Sequence, residues 1–143
     1  MTKSLSGKSA LVTGGSRGIG AAIVRRLASD GAAVAFTYVA SEAKAAALVA
    51  EIEADGGRAL AINADSADPQ ALQRAVMETA SRFGGLGILI NNAGILLRGP
   101  VDAFSLADFD RKLWPIWAKA AALSPLAALR RIAAAFPEHR STA

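Results

Sequence analysis

The eight residues Thr13-Gly14-Gly15-Ser16-Arg17-Gly18-Ile19-Gly20 stand between a short apolar run, Ser9–Val12, and a stretch of helical period. They constrain the fold more than any other part of the chain. An apolar run that ends in glycines and then opens a helix is a strand–turn–helix junction. Each glycine has a physical use there. Gly14 permits a tight turn, Gly18 lets a diphosphate come close to the backbone, and Gly20 lets the helix lie against the sheet. The helix start adds unpaired N–H groups and the positive end of its dipole, both suited to an anion. A glycine trio alone is equally a plain strand-to-helix turn. What favours a dinucleotide is the second strand that follows the first helix.

That strand belongs to a regular alternation over the first 113 residues. From Gly18 to Asp30, Ile19, Ile23 and Leu27 recur every fourth residue with Val24 beside them, predicting one apolar helix face that stops at Gly31. Ala33–Tyr38 is a second strand. Ser41–Asp55 places Ala45, Leu48, Val49 and Ile52 on one helix face, closed by Gly56-Gly57. Ala59–Asn63 is a third strand, and Asp68-Pro69 supplies an N-cap and a first-turn proline. Leu72, Val76, Ala80 and Phe83 carry the third helix to Gly84-Gly85, before a fourth strand at Ile88–Ile90. Continuous apolar strands joined by helices predict an α/β fold, a Rossmann-type doubly wound parallel sheet covered on both faces. Right-handed crossovers give the strand order 3-2-1-4, about four strands and an incomplete sheet.

Composition removes several rivals. The 143 residues hold no cysteine and one histidine, His139, which excludes disulfide scaffolds, thiolate chemistry and multi-histidine metal centres. No apolar stretch approaches the roughly 18 residues of a membrane span, so a cytoplasmic protein is expected. The net charge of +4 invites a nucleic-acid partner. Yet residues 1–113 hold 12 Lys+Arg against 11 Asp+Glu, and residues 114–143 hold 4 against 1. The excess sits in the tail, with no basic stripe or base-stacking aromatics on the folded part, which argues against nucleic acid.

At the glycine turn the chain resembles the short-chain dehydrogenase/reductase family, whose pattern there is TGxxxGxG. Asn91-Asn92-Ala93-Gly94 is similar to that family's NNAG motif, and Asn63-Ala64-Asp65-Ser66 to its adenine-contacting acidic turn. The closest resemblance is to the 3-oxoacyl-carrier-protein-reductase-like group. By this resemblance Gly14, Gly18 and Gly20, with Ile19, would line the pyrophosphate. Asp65 would accept from the adenine amino group beside the Ser66 backbone. Asn91, Ala93 and Gly94 would border the adenosine ribose and support the sheet. As residues alone, Asp65 reads sooner as a turn residue approaching a helix, and Asn91-Asn92 as a polar strand end.

NADP is expected over NAD. Chains preferring NAD usually carry an acid near the end of the second strand, to hold the ribose 2′-hydroxyl. Here Thr37-Tyr38-Val39 stands there, with no acid before Glu42, and Thr37 and Tyr38 are expected to contact the cofactor. Arg17, with Ser16, stands where a guanidinium would pair with a 2′-phosphate.

The chemistry of the family is missing. The resemblance implies a tyrosine acid/base, a lysine four residues later, a serine and a relay asparagine. The single tyrosine, Tyr38, is followed four positions later by Glu42, and is expected to pack or to touch the cofactor edge. Ser124 and Ser141 precede no tyrosine–lysine pair, so no catalytic residue is assigned. Ser105 and Asp108 form a capping pair, and Asp108–Arg111 still resembles the family. At Trp114-Pro115-Ile116-Trp117 the resemblance stops, and Pro115 would cost a helix interior about 3 kcal/mol. Residues 1–113 are therefore expected to be the dinucleotide-binding region. Residues 114–143 are expected to be an Ala/Arg-rich helical tail, and a reading-frame shift near codon 113 would generate such a truncated enzyme. The fourth strand, left as an apolar edge, and the tail are the expected routes to self-association.

Overall fold

The computed structural model describes residues 3–93. Within them the elements run β1 (Ser9–Val12), α1 (Gly18–Ser29), β2 (Ala33–Tyr38), α2 (Glu42–Ala54), β3 (Arg58–Asn63), α3 (Pro69–Phe83) and β4 (Ile88–Ile90). The four strands form one parallel sheet in the order β3-β2-β1-β4. Across it Leu60, Ala35, Leu11 and Leu89 stand in register. This is the predicted doubly wound order.

Alternation along the strands distributes the core between two layers. Ala10, Val12, Val34 and Phe36 face α1 and α2, packing with Val24, Ala28, Leu48 and Ile52. Leu11, Ala35 and Ile62 face the other way, against Leu72, Ala75 and Val76 of α3. Because helices cover both faces, β1 is buried at all four positions, and β2 at every position but Tyr38. That is why neither strand shows a polar face in the sequence.

The ends of the elements follow their local chemistry. Asp68 caps α3, its carboxylate accepting from the Gln70 amide at 2.9 Å, with Pro69 in the first turn. Gly84 ends that helix with φ +78°, a left-handed conformation that glycine adopts without strain. Asp30, Ser41 and Asp55, predicted inside the first two helices, are caps.

One packing expectation is corrected. Ile19 does not belong to the buried face of α1; it is 76% exposed. The face that packs is Gly20, Ala21, Val24 and Ala28, with Ile23 and Leu27 at its margin. The predicted stripe of Ile19, Ile23 and Leu27 lies one residue, about 100°, round the helix from the buried stripe of Gly20, Val24 and Ala28. That leaves Ile19 in the first turn facing solvent.

β4 is the outermost described strand beyond β1 and is half-buried. Gly94, the capping pair Ser105 and Asp108, the Trp114–Trp117 segment and the predicted tail helix all lie outside the described residues. Among the described residues no helix is long and apolar enough to cross a membrane, and no three His, Cys, Asp or Glu side chains cluster as metal ligands.

Candidate functional site

Four chain segments meet at the C-terminal ends of the strands: Thr13–Arg17 after β1, Thr37 and Tyr38 ending β2, Asn63–Ser66 after β3, and Asn91–Ala93 after β4. β1 lies between β2 and β4, so the chain leaves β1 at the point where the strand order reverses. Open α/β sheets bind ligands at that crevice.

The glycine turn is held from both sides. From β4's end, Asn92 donates through Nδ2 to the carbonyls of Thr13 at 3.2 Å and Gly14 at 3.0 Å. The fully buried Thr13 hydroxyl accepts from the amides of Asn92 and Ala93, each at 3.1 Å. From β2's end, Thr37 accepts the Gly14 amide on Oγ1 and the Gly15 amide on its carbonyl, both at 3.0 Å.

The glycines in this lattice answer different needs. Gly14 has φ +69°, and a Cβ there would lie 2.9 Å from the Cα and Cβ of Ala93. Gly20 needs room, since a Cβ would run into the Gly14 carbonyl oxygen and stand 2.6 Å from Asn92 Nδ2. The helix thus packs close, as expected, chiefly against the turn itself. Gly18 has φ +55° and open space where a Cβ would stand, so its backbone is uncovered.

The start of α1 has no partner of its own. Its N-cap, Arg17, is extended (φ −153°, ψ 167°) and caps with no side chain, and the first turn holds no acid. The first bond into the helix runs from the Ala21 amide to the Arg17 carbonyl at 3.2 Å. Among the described residues, the amides of Gly18, Ile19 and Gly20 donate to no protein acceptor. Three unpaired N–H groups beside an exposed guanidinium suit an anion, and the open backbone at Gly18 leaves room for one.

The other predicted residues are arranged around this point. Ser16 is half-buried beside Arg17, which makes no salt bridge among the described residues. Thr37 is 1% exposed, below the surface on which a ligand would lie. Tyr38 is partly buried and packs on the α1/α2 side of the sheet. Asp65 is exposed, and one of its carboxylate oxygens accepts from the Ala67 amide at 2.8 Å. Ser66 is buried, Asn91 exposed, and Ala93 tied to Thr13. Thr13 and Asn92, which hold the turn together, were not among the predicted site residues. The available signal was a polar residue at the end of each of two apolar strands.

Among the described residues, the one pair whose titration is moved from its ordinary range lies away from this end. Arg25 of α1 donates through Nε and Nη2 to both carboxylate oxygens of Glu51 in α2, at 2.7 and 2.9 Å. That hydrogen bonding holds the Glu51 carboxyl below its ordinary range and raises the Arg25 guanidinium.

Comparison with known proteins places this geometry. Residues 8–115 match the short chain dehydrogenase family. Versicolorin reductase 1 of Aspergillus parasiticus is 45% identical over 107 residues, which are 75% of this chain and 41% of that protein. The 3-oxoacyl-acyl-carrier-protein reductase FabG of Staphylococcus aureus is 50% identical over 88 residues, 62% of this chain and 36% of the relative. A short chain dehydrogenase from Burkholderia cenocepacia, solved in complex with NADP, superimposes with a TM-score of 0.79 at 54% identity. The match covers 85% of this chain and 51% of that one. The chain thus spans about two-fifths of the length of the curated relatives it matches. With the strand order, the glycine turn and the Asn91–Ala93 segment all in their expected places, the match over residues 8–115 makes this chain a member of the short-chain dehydrogenase family.

Proposed function

We propose that residues 1–113 form an NADP(H)-binding unit of an oxidoreductase whose family reaction is hydride transfer between NADPH and a carbonyl or alcohol. The observation that carries this reading is the uncapped start of α1, with the Gly18, Ile19 and Gly20 amides unpaired beside Arg17. In this reading those amides, with Gly14, Gly18 and Gly20 shaping the turn, hold the pyrophosphate. Asp65 and Ser66 meet the adenine, and Asn91, Ala93 and Gly94 border the ribose. Tyr38 packs at the cofactor's edge.

NADP over NAD is supported by Arg17 with Ser16, by the lack of an acid at Thr37, Tyr38 and Val39, and by the NADP complex of the Burkholderia relative. When bound, the nucleotide supplies the hydride. The 143 residues contain no Tyr-x-x-x-Lys pair to move the accompanying proton, so this chain turns over little or no substrate alone. Residues 114–143 act in this reading as a divergent tail, in the cytoplasm. The same missing pair favours, as the second reading, a non-catalytic dinucleotide-binding module acting through a partner.

Titration of purified, monodisperse chain with NADPH and NADH, with a carbonyl turnover assay alongside, tests this. NADPH binding tighter than NADH, without turnover, is the expected result. Equal or tighter NADH binding overturns the cofactor preference, and turnover overturns the catalytic argument. A monodisperse chain that ignores both nucleotides at millimolar concentration overturns the function. Size-exclusion chromatography of the same sample reads self-association through β4's edge or the tail.

A further inference from the structure

The end of β2 carries a polar residue that the apolar strand does not explain. Ala33, Val34, Ala35 and Phe36 are buried, and so is Thr37, in a position where valine would have the same shape and no polar atom to satisfy. Its hydroxyl has a single described use: Oγ1 accepts from the Gly14 amide at 3.0 Å. The Thr37 carbonyl takes the next amide, Gly15, at the same distance. Two consecutive N–H groups of the turn therefore point into the sheet, and the amides left for a ligand are the later ones, at the start of α1.

Gly14 is also the residue that must hold φ +69°, so fixing its N–H fixes the direction in which the chain leaves β1. Thr37 is too deeply buried to reach a ligand itself. We infer that Thr37 is a positioning residue: its hydroxyl, by holding the Gly14 amide, sets where the Gly18, Ile19 and Gly20 amides stand. This replaces the direct cofactor contact expected for Thr37 from the sequence. Its binding consequence rests on the proposed function, and its structural consequence does not.

The test compares three variants of the full chain. Thr37→Val removes the acceptor and keeps the shape, and should raise the Kd for NADPH about tenfold, because the Gly18, Ile19 and Gly20 amides are no longer held in place before binding. Thr37→Ser restores the hydroxyl and should stay within about twofold of the original. Thr79→Val makes the same change at a fully buried threonine on α3, whose hydroxyl donates to the Ala75 carbonyl, and should leave the Kd unchanged. Amide hydrogen exchange of the nucleotide-free chain supplies a readout independent of binding. Gly14 should be protected in the original chain and exchange faster in Thr37→Val, while Gly15, held by a backbone carbonyl, stays protected. An unchanged Kd in Thr37→Val, or an unprotected Gly14 amide in the original chain, overturns the inference. If Thr37→Val does not fold, Gly14 exchange in the original chain and in Thr37→Ser decides. Failure of the original chain to bind either nucleotide overturns the proposed function instead, and leaves Thr37 to be judged by exchange.

Discussion

Gly15 and Phe36 compete for one small volume where the glycine turn passes over β2. A Cβ on Gly15 would run into the Phe36 Cβ and stand 2.9 Å from both the Phe36 ring and Val24. Since the Phe36 Cβ is part of the obstacle, shortening Phe36 to alanine would not clear it. Gly15→Ala should destabilise the fold by about 1–3 kcal/mol through overpacking. In a Phe36→Gly background, where Val24 Cγ2 at 2.9 Å is the remaining obstacle, the loss from the same change should shrink, a coupling of about 0.5–3 kcal/mol read by urea unfolding of the four chains. Strictly additive losses would contradict it. At this scale the sequence is legible only in part. It marked the turn, but not that Gly15 is set by a side chain 21 positions away, nor that Thr37 serves Gly14. Such needs arise between strands, and a linear pattern of residue types carries no record of which strand lies alongside. Ile19 is exposed for a related reason: periodicity gives the spacing of a helix face, while its rotation depends on which residues meet the sheet.

The elements themselves were far more legible. β1, β2 and β4 are continuous apolar runs because helices cover both faces of the sheet, and the glycine and aspartate punctuation around α3 is a local property of the chain. Contacts between helices were not legible, and the pairing of Arg25 with Glu51 is the example. It joins α1 to α2 on the surface, both side chains about half exposed. Because the Glu51 carboxyl titrates below its ordinary range when folded, its contribution is fully present above the unfolded value of about 4.3. It is lost as pH falls through the lower, folded value. Glu51→Gln should therefore lower the urea midpoint at pH 7, and the gap from the original chain should close towards pH 3. A gap of the same size at both pH values would show that the bridge is not its cause.

For the whole molecule, the proposed nucleotide preference turns on one exposed side chain. Arg17→Ala should weaken NADPH binding about tenfold, the scale of a charge-assisted bond at a solvated site, and barely alter NADH. Differential scanning fluorimetry reads the same preference. Saturation at 100 times Kd adds about 2.7 kcal/mol to the original chain, and at the same nucleotide concentration the variant should lose about half of that gain for NADPH alone. An equal loss for both nucleotides would place Arg17 at a part that the two share. The bonds that tie Thr13, Gly14 and Gly15 to Thr37 on one flank and Asn92 on the other bear on engineering. The loop is not a portable cassette: transplanted as a contiguous peptide it would leave behind the residues that hold its shape. A graft meant to confer nucleotide affinity on another scaffold has to import three neighbouring strand ends together.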